Sequence, residues 1–299
     1  MNFRCLFVLS CVLLALLHQS LAAKCTFVEE TTSAYKCEFY CEVSECESDN
    51  LQIKGMHLLH KYDHDVETLT NDPSSVMKFI PRNALKKFIN LKELSLNKAG
   101  ICELSPLEAI VNLRRVFLKH NEITEMPDET FSNCLNIDLI DLSNNRITEI
   151  NEKSFLKLRK LTNLQLNSNL IASIHPLAFH SNIMLTTLSL YNNKIIKIES
   201  RTFHNLPNLN KLWLNQNQIA QISPQAFNLS LKLEVFNANS NDCVTGYHGM
   251  TFNNTYLKNC YDNFELPATN ESFTFVAKNI QSLYAFCIIV IVQYFFQCL

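Results

Sequence analysis

Four segments of fourteen residues decide the fold, because they align without gaps and each starts 24 residues after the previous one. They are IDLIDLSNNRITEI at 137–150, LTNLQLNSNLIASI at 161–174, LTTLSLYNNKIIKI at 185–198 and LNKLWLNQNQIAQI at 209–222. Upstream, LRRVFLKHNEITEM at 113–126 fits the same frame, LKELSLNKAGICEL at 91–104 opens it, and a partial copy starts at Leu233. Self-similarity at a fixed period predicts a solenoid in which each copy forms one coil.

All copies share one internal pattern. Apolar residues at the first, fourth and sixth positions predict a short strand, and neighbouring copies should pair these strands in a parallel sheet. The ninth position favours Asn, whose side-chain amide can bond backbone groups that a turn leaves unpaired. This column comprises Asn121, Asn145, Asn169, Asn193, Asn217 and Asn241. A second column, predicted to stack its rings on the opposite side, comprises Phe131, Phe155, Phe179, Phe203 and Phe227.

Departures from the pattern lead to three further predictions. Ala99 replaces the asparagine of the first full copy, so side-chain bonding should be irregular there. The segment from Val66 to Phe88 is predicted to be one more degenerate copy. Cys134 takes a position that is leucine in the next copy, so it should be a buried, unpaired thiol that packs as a small hydrophobe.

The pattern LxxLxLxxNxIxxIxxxxFxxL, across residues 66–242, resembles the extracellular leucine-rich-repeat family. The resemblance implies an α/β repeat solenoid, a right-handed leucine-rich-repeat horseshoe with a parallel concave β-sheet and disulfide-stapled caps. It is similar to Toll-type receptor ectodomains and to the leucine-rich-repeat adhesion and immune proteins of insects. By that resemblance the chain would recognise proteins, with neither catalysis nor a cofactor.

Both ends of the chain are apolar and are expected to lie outside the repeats. Residues 1–22 are predicted to be a signal peptide, with Arg4 before an apolar run and small residues before the cleavage site. Residues 271–299 form a spacer and a hydrophobic tail with nothing basic after it. This favours a glycolipid-anchor (GPI) signal over a retained transmembrane helix. We therefore expect a membrane tether on the extracellular side of the plasma membrane, or secretion.

Cysteines cluster at both ends of the repeat body, which predicts disulfide-stapled caps in an oxidising compartment. The N-terminal cap, residues 23–65, would include an edge strand near Leu51. Its four cysteines allow three pairings, of which we favour Cys25 with Cys37 and Cys41 with Cys46. The C-terminal cap, residues 243–270, should be closed by a Cys243–Cys260 disulfide.

The remaining sequence signals concern the surface. Cys102 is expected in an exposed loop, as a free thiol, in a bridge to Cys134 or in an intermolecular disulfide. Three glycosylation sequons begin at Asn228, Asn253 and Asn270.

The predicted ligand-binding surface is the concave sheet, where strand residues that alternate with the core leucines point outward. Aromatic and arginine side chains dominate interface energies, so they are the first candidates. The candidate residues are Arg114, Arg115, Phe117, Leu139, Asp141, Tyr191, Lys211 and Trp213. Phe117 and Leu139 are expected to be neighbours on adjacent strands. The predicted partner is a protein ligand or co-receptor, and pairing with a second copy of the chain stays open.

Net charge and motifs bear on the rival hypotheses. The formal charge is −2 and no block of Lys and Arg occurs, which argues against a nucleic-acid partner. A soluble, secreted innate-immune recognition factor is the alternative function. A metal-dependent enzyme is a further rival, because His57, His60 and His64 would share one helix face. In the cap, the same histidines are expected simply to meet solvent.

Overall fold

The computed structural model describes the backbone of residues 22–29, 35–40, 52–54, 61–244 and 257–262, apart from positions 79, 81–84, 108, 109, 129, 228, 229 and 231. The chain divides into two compact units, Met1–Asn263 and Phe264–Leu299, and every described residue belongs to the first. Several predictions concern residues outside this description: the signal peptide up to residue 21, the sequons, His57, His60 and the hydrophobic tail.

Among the described residues, eleven strands form one sheet. They are β1 (Ala22–Glu29), β2 (Tyr35–Tyr40), β3 (Gln52–Lys54), β4 (Val66–Asn71), β5 (Glu93–Ser95), β6 (Arg115–Phe117), β7 (Leu139–Asp141), β9 (Asn163–Gln165), β11 (Thr187–Ser189), β13 (Lys211–Trp213) and β15 (Val235–Asn237). Two-residue strands follow four of the coils: β8 (Glu149–Ile150), β10 (Ser173–Ile174), β12 (Lys197–Ile198) and β14 (Gln221–Ile222). Among the described residues there are also a 3-10 turn, Asp63–Asp65, and helix α1 (Lys258–Asp262).

From β4 to β15 the strands are all parallel, and each pairs with the strand of the next coil. Strands β8 and β10 pair in parallel, as do β12 and β14. The described chain is thus the predicted solenoid of parallel strands, and it contains little helix.

The N-terminal strands extend the same sheet. Strands β1 and β2 form an antiparallel pair, and β2 runs parallel to β4. Strand β3 is the last strand of the sheet and pairs with β1, so the predicted edge strand near Leu51 is confirmed. Strand β4 lies in the segment predicted as a degenerate copy. Cys37 is buried and disulfide-bonded, and the side chains of Cys25, Cys41 and Cys46 lie outside the described residues.

The core is built from columns of equivalent residues. The central residue of each strand is buried, from Leu94 on β5 to Phe236 on β15. On the opposite side, the rings of Phe155 and Phe179 stack with centroids 6.0 Å apart. The stack continues through Phe203 to Phe227 at 6.2 and 5.7 Å. Stacked pairs of this kind contribute about 0.5–1.5 kcal/mol each beyond area burial, so the predicted ring column is confirmed over these coils.

The asparagine column forms a hydrogen-bonded ladder. The side-chain amide of Asn169 donates to the backbone oxygens of Leu142 and Leu166, both at 3.0 Å. Its Oδ1 accepts from the backbone N–H of Ile147 at 3.0 Å. Each asparagine of this column is buried. Its side chain satisfies backbone hydrogen-bonding groups of its own coil and of the preceding coil. The residue before it adopts a left-handed conformation, as at Ser168 with φ 56°.

The ladder begins at Asn121, because Ala99 has no amide to offer. Asn121 Oδ1 accepts from the backbone N–H groups of Ala99 and Ile101, at 2.9 and 3.1 Å. The irregular bonding predicted at Ala99 is confirmed.

The C-terminal end is closed by a disulfide between Cys243 and Cys260. Cys260 belongs to α1, which lies against β14, and Leu257 just before it is buried. Tyr261 packs against the core, and burial raises its pKa to about 12. The predicted pairing is present, and it holds a short helix over the last coils.

Candidate ligand-binding face

Strand register places the outward side chains of the concave sheet in rows. One row runs from Arg115 through Leu139, Asn163 and Thr187 to Lys211. A second, two residues further along each strand, runs through Phe117, Asp141, Gln165, Ser189 and Trp213. Because the backbone of each strand is fixed by its neighbours on both sides, these side chains stand on a stiff support.

Cross-strand ion pairs cover the first part of the sheet. Arg114 donates to Asp138 at 2.7 Å and Arg115 donates to Glu93 at 2.7 Å. Lys92 pairs with Glu67 at 2.5 Å. We call the outward residues of β4 to β7, with the residue before each strand, the charged end. These pairs are largely exposed, so each contributes only about 0–1 kcal/mol of stability.

The middle of the face is polar and uncharged, and an aromatic patch follows it. The outward positions of β9 and β11, with the residue before each strand, are Thr162, Asn163, Gln165, Thr186, Thr187 and Ser189. Beyond them, Trp213 on β13 is partly exposed, and so is Tyr191, two residues past the end of β11. We call Tyr191, Lys211 and Trp213 the aromatic end.

The predicted candidates therefore separate into two groups. Phe117 and Trp213 share a row but lie four strand spacings apart, about 19 Å at 4.8 Å per strand. Phe117 and Leu139 lie on adjacent strands but are not register partners. Phe117 pairs with Asp141, and Leu139 pairs with Arg115. Phe117 and Leu139 thus lie diagonally across the two strands. Their register partners are Asp141 and Arg115, so a patch centred on them also includes a carboxylate and an arginine.

A second asparagine ladder, which was not predicted from the sequence, lies at the edge where each strand begins, and we call it the strand-entry ladder. Asn112 and Asn136 donate to the backbone oxygens of Ile89 and Val111, at 2.9 and 3.1 Å. Lys160 occupies the same position one coil later and donates to Asn136 Oδ1 at 2.7 Å. The signal was an Asn or Lys directly before the first leucine of several copies. This edge borders a groove of about 780 Å³ that includes Lys92, Arg114 and Asp138.

The thiols and histidines were alternative sites of chemistry. Cys102 and Cys134 are both free, so no bridge joins them. Cys134 is buried, as predicted, and desolvation raises the pKa of its thiol to about 12. His64 is exposed, stacks on Tyr62 and lies 3.7 Å from Asp65. Within the described residues no group of three His, Cys, Asp or Glu side chains could hold a metal ion; His57 and His60 lie outside them.

Comparison with known proteins agrees with this geometry. The family model described as "Leucine rich repeat" matches residues 111–171, 159–219 and 183–243. Residues 111–243 are leucine-rich repeats. No curated protein matches the sequence of the chain. Leucine-rich repeats form a recognition scaffold, so the findings support a protein-recognition module.

The same fold occurs in solved structures of other proteins. Among 375 matching chains is that of the "Crystal structure of TLR13-ssRNA13 complex", with a TM-score of 0.56 and 24% sequence identity. The match covers 64% of this chain but only 28% of that one. The likeness is therefore one of fold. Within the described residues, no helix is long and apolar enough to cross a membrane.

Proposed function

We propose that this leucine-rich-repeat chain acts outside the cell, as an adhesion protein or co-receptor that binds a protein ligand on its concave face. The observation that carries the proposal is the aromatic end. Tyr191 and Trp213 lie on adjacent coils of a sheet held by the asparagine ladder, and both side chains are partly exposed. Rigid aromatic side chains bury large areas at little entropic cost, and they are typical anchors of protein interfaces.

The charged end has a different role in this proposal. Its arginines already pair with Asp138 and Glu93, so a ligand gains little energy by contacting them. A ligand with charges in the complementary order would be oriented by this pattern, and a mismatched one would be repelled. We therefore assign affinity to the aromatic end and selectivity to the charged end.

Attachment to the membrane separates the two candidate roles. An adhesion protein or co-receptor requires a tether, which we place in residues 271–299, whereas an innate-immune recognition factor would be free in the medium. We expect full-length protein on insect cells to be released by phosphatidylinositol-specific phospholipase C. Retention would favour a transmembrane helix, and protein already free in untreated medium would favour the immune factor.

Binding is tested on the same cells. Cells that display the full chain should aggregate with one another or with untransfected cells, and the Trp213→Ala chain should lose this activity at equal surface level. Added single-stranded RNA should not compete. Undiminished aggregation by the variant would contradict the concave-face assignment, and competition by RNA would contradict the choice of a protein partner.

A further inference from the structure

A second surface lies on the flank of the solenoid, beside the edge where the strands begin. Ile89, Val111 and Leu135 occupy equivalent positions of three successive coils, since each directly precedes an asparagine of the strand-entry ladder. Their side chains are 56%, 54% and 51% exposed. With a coil spacing of about 4.8 Å, they form an apolar strip about 10 Å long. Contiguous exposed aliphatic residues of this kind mark interaction sites more often than scattered ones do.

Basic side chains lie at one end of this strip. Leu135 lines a groove of about 610 Å³ together with Lys157, Arg159, Lys160 and His180. Arg159 occupies, in the fourth coil, the position that Ile89, Val111 and Leu135 occupy in the first three. Along this column the surface is therefore aliphatic in three coils and cationic in the fourth, before the exposed Ile183 takes the same position in the fifth.

Among the described residues, these cations have no acidic partner. In the part of the chain that the structure describes, neither Lys157 nor Arg159 has a carboxylate partner, and Lys160 donates only to the neutral Asn136 Oδ1. Elsewhere in the repeats a lysine does pair, as Lys153 does with Asp128 at 3.0 Å. Lys157 is also held in a left-handed conformation, with φ 70°. For a non-glycine residue this backbone conformation is uncommon and is worth relating to function.

We propose that this flank strip, formed by Ile89, Val111, Leu135, Lys157, Arg159 and Lys160, docks a partner-protein segment that carries aliphatic side chains next to a cluster of carboxylates. The aliphatic side chains of the segment cover Val111 and Leu135. Its carboxylates meet Arg159 and Lys160, because arginine and lysine with no internal partner are free to form charge-assisted hydrogen bonds. This surface adjoins the charged end, because Lys160 also lines the groove that contains Arg114 and Asp138, but the proposal does not depend on the proposed function.

The composition of the strip selects this occupant over a polyanion. A sulfated polysaccharide would use the cations but would leave the aliphatic strip exposed to water. A single-stranded nucleic acid gains much of its affinity from stacking on aromatic rings, and the residues that line the groove include no Phe, Tyr or Trp. A peptide segment can contact the aliphatic side chains and the cations at the same time.

A random twelve-residue peptide library on phage is the probe. It is selected on immobilised full-length protein in detergent and depleted on the variant that combines Leu135→Ser, Arg159→Glu and Lys160→Glu. We expect the enriched peptides to place Asp or Glu beside aliphatic residues. For a synthetic peptide from this set, Leu135→Ser alone and Arg159→Glu with Lys160→Glu should each weaken binding about tenfold or more.

The chain offers matched controls. Lys232 donates to Asn208 Oδ1 at 2.8 Å just as Lys160 donates to Asn136. Arg201→Glu with Lys232→Glu therefore reverses two charges elsewhere on the solenoid. Ile196→Ser removes an aliphatic side chain that is 53% exposed. Both controls should leave peptide binding unchanged. Melting temperatures confirm that each variant is folded, and Val111→Ser or Lys157→Asn, which suits a left-handed position, can replace a variant that is not.

Two results would overturn the proposal. One is enrichment of peptides without carboxylates, or the absence of any peptide that distinguishes the flank variant from the wild type. The other is binding that falls with charge reversal but not with Leu135→Ser, together with equal charge dependence for a heparin fragment. That result would make the surface a simple polyanion site.

Discussion

The two ends of the concave face are built on the same strands yet offer a ligand different things. At the charged end, Arg114 and Arg115 are engaged by carboxylates one coil away, and the exposed pairs add little to stability. At the aromatic end, Tyr191 and Trp213 stay partly exposed. The repeated scaffold thus fixes the position of each side chain. The residue at the neighbouring position of the next coil determines whether that side chain is already paired or is free to contact a ligand.

The largest expected effect comes from a residue on which both ends depend. Asn169→Ala removes the bonds to Leu142, Leu166 and Ile147 and leaves buried backbone groups without partners. We expect the free energy of unfolding to fall by about 3 kcal/mol, since each unsatisfied buried group costs about 1–3 kcal/mol. Urea unfolding followed by circular dichroism measures it. Asn163→Ala, on the outward face of the same coil, is the control and should cost under about 0.5 kcal/mol; equal losses would contradict the ladder's role.

An intermediate effect separates the two ends directly. Trp213→Ala should weaken cell aggregation at least tenfold in the concentration of displayed protein required, because an interface anchor contributes about 2 kcal/mol or more. Phe117→Ala should reduce it only about threefold, since Phe117 lies among paired charges. The double variant should stay folded, as judged by its melting temperature. If Phe117→Ala has the larger effect, the assignment of affinity to the aromatic end is wrong.

The smallest effect concerns the charged end itself. Arg114→Ala with Arg115→Ala should lower the free energy of unfolding by less than about 1 kcal/mol in total, because both pairs are solvent-exposed. The loss should shrink further in 0.5 M salt, where exposed charges are screened. Urea unfolding at low and high salt tests this. A loss above about 2 kcal/mol that salt does not change would mean that these side chains support packing.

Much of this architecture follows from the sequence because it depends on a fixed period. The asparagine and phenylalanine columns were predicted, and so was the buried thiol of Cys134, since residues 24 apart take the same place in successive coils. The same period puts Arg114 beside Asp138 and Phe117 beside Asp141, a consequence that the prediction of a Phe117–Leu139 patch overlooked.

Other features had no comparable signal. The strand-entry ladder contains Asn, Lys and, at Met184, a methionine, so it does not form a uniform column. Asn182, where the neighbouring coils have leucine, donates to the backbone oxygens of Phe155 and Leu158 from a fully buried position. The sequence shows only that a polar residue occupies a core position. Its role in holding the loop becomes clear only when the backbone carbonyl groups around it are known. The availability of the flank cations likewise depends on which carboxylates lie within reach.

The coil-to-coil bonding of the asparagine ladder also bears on how such a molecule can grow. Every rung joins one coil only to the coil before it, as Asn193 does with Leu166. Duplication of a single 24-residue unit would therefore bring its own rung and its own strand, and leave both caps untouched. Each added unit would lengthen the concave face by about 4.8 Å. The reach of the recognition surface is thus a matter of copy number, which evolution can change without inventing a new core.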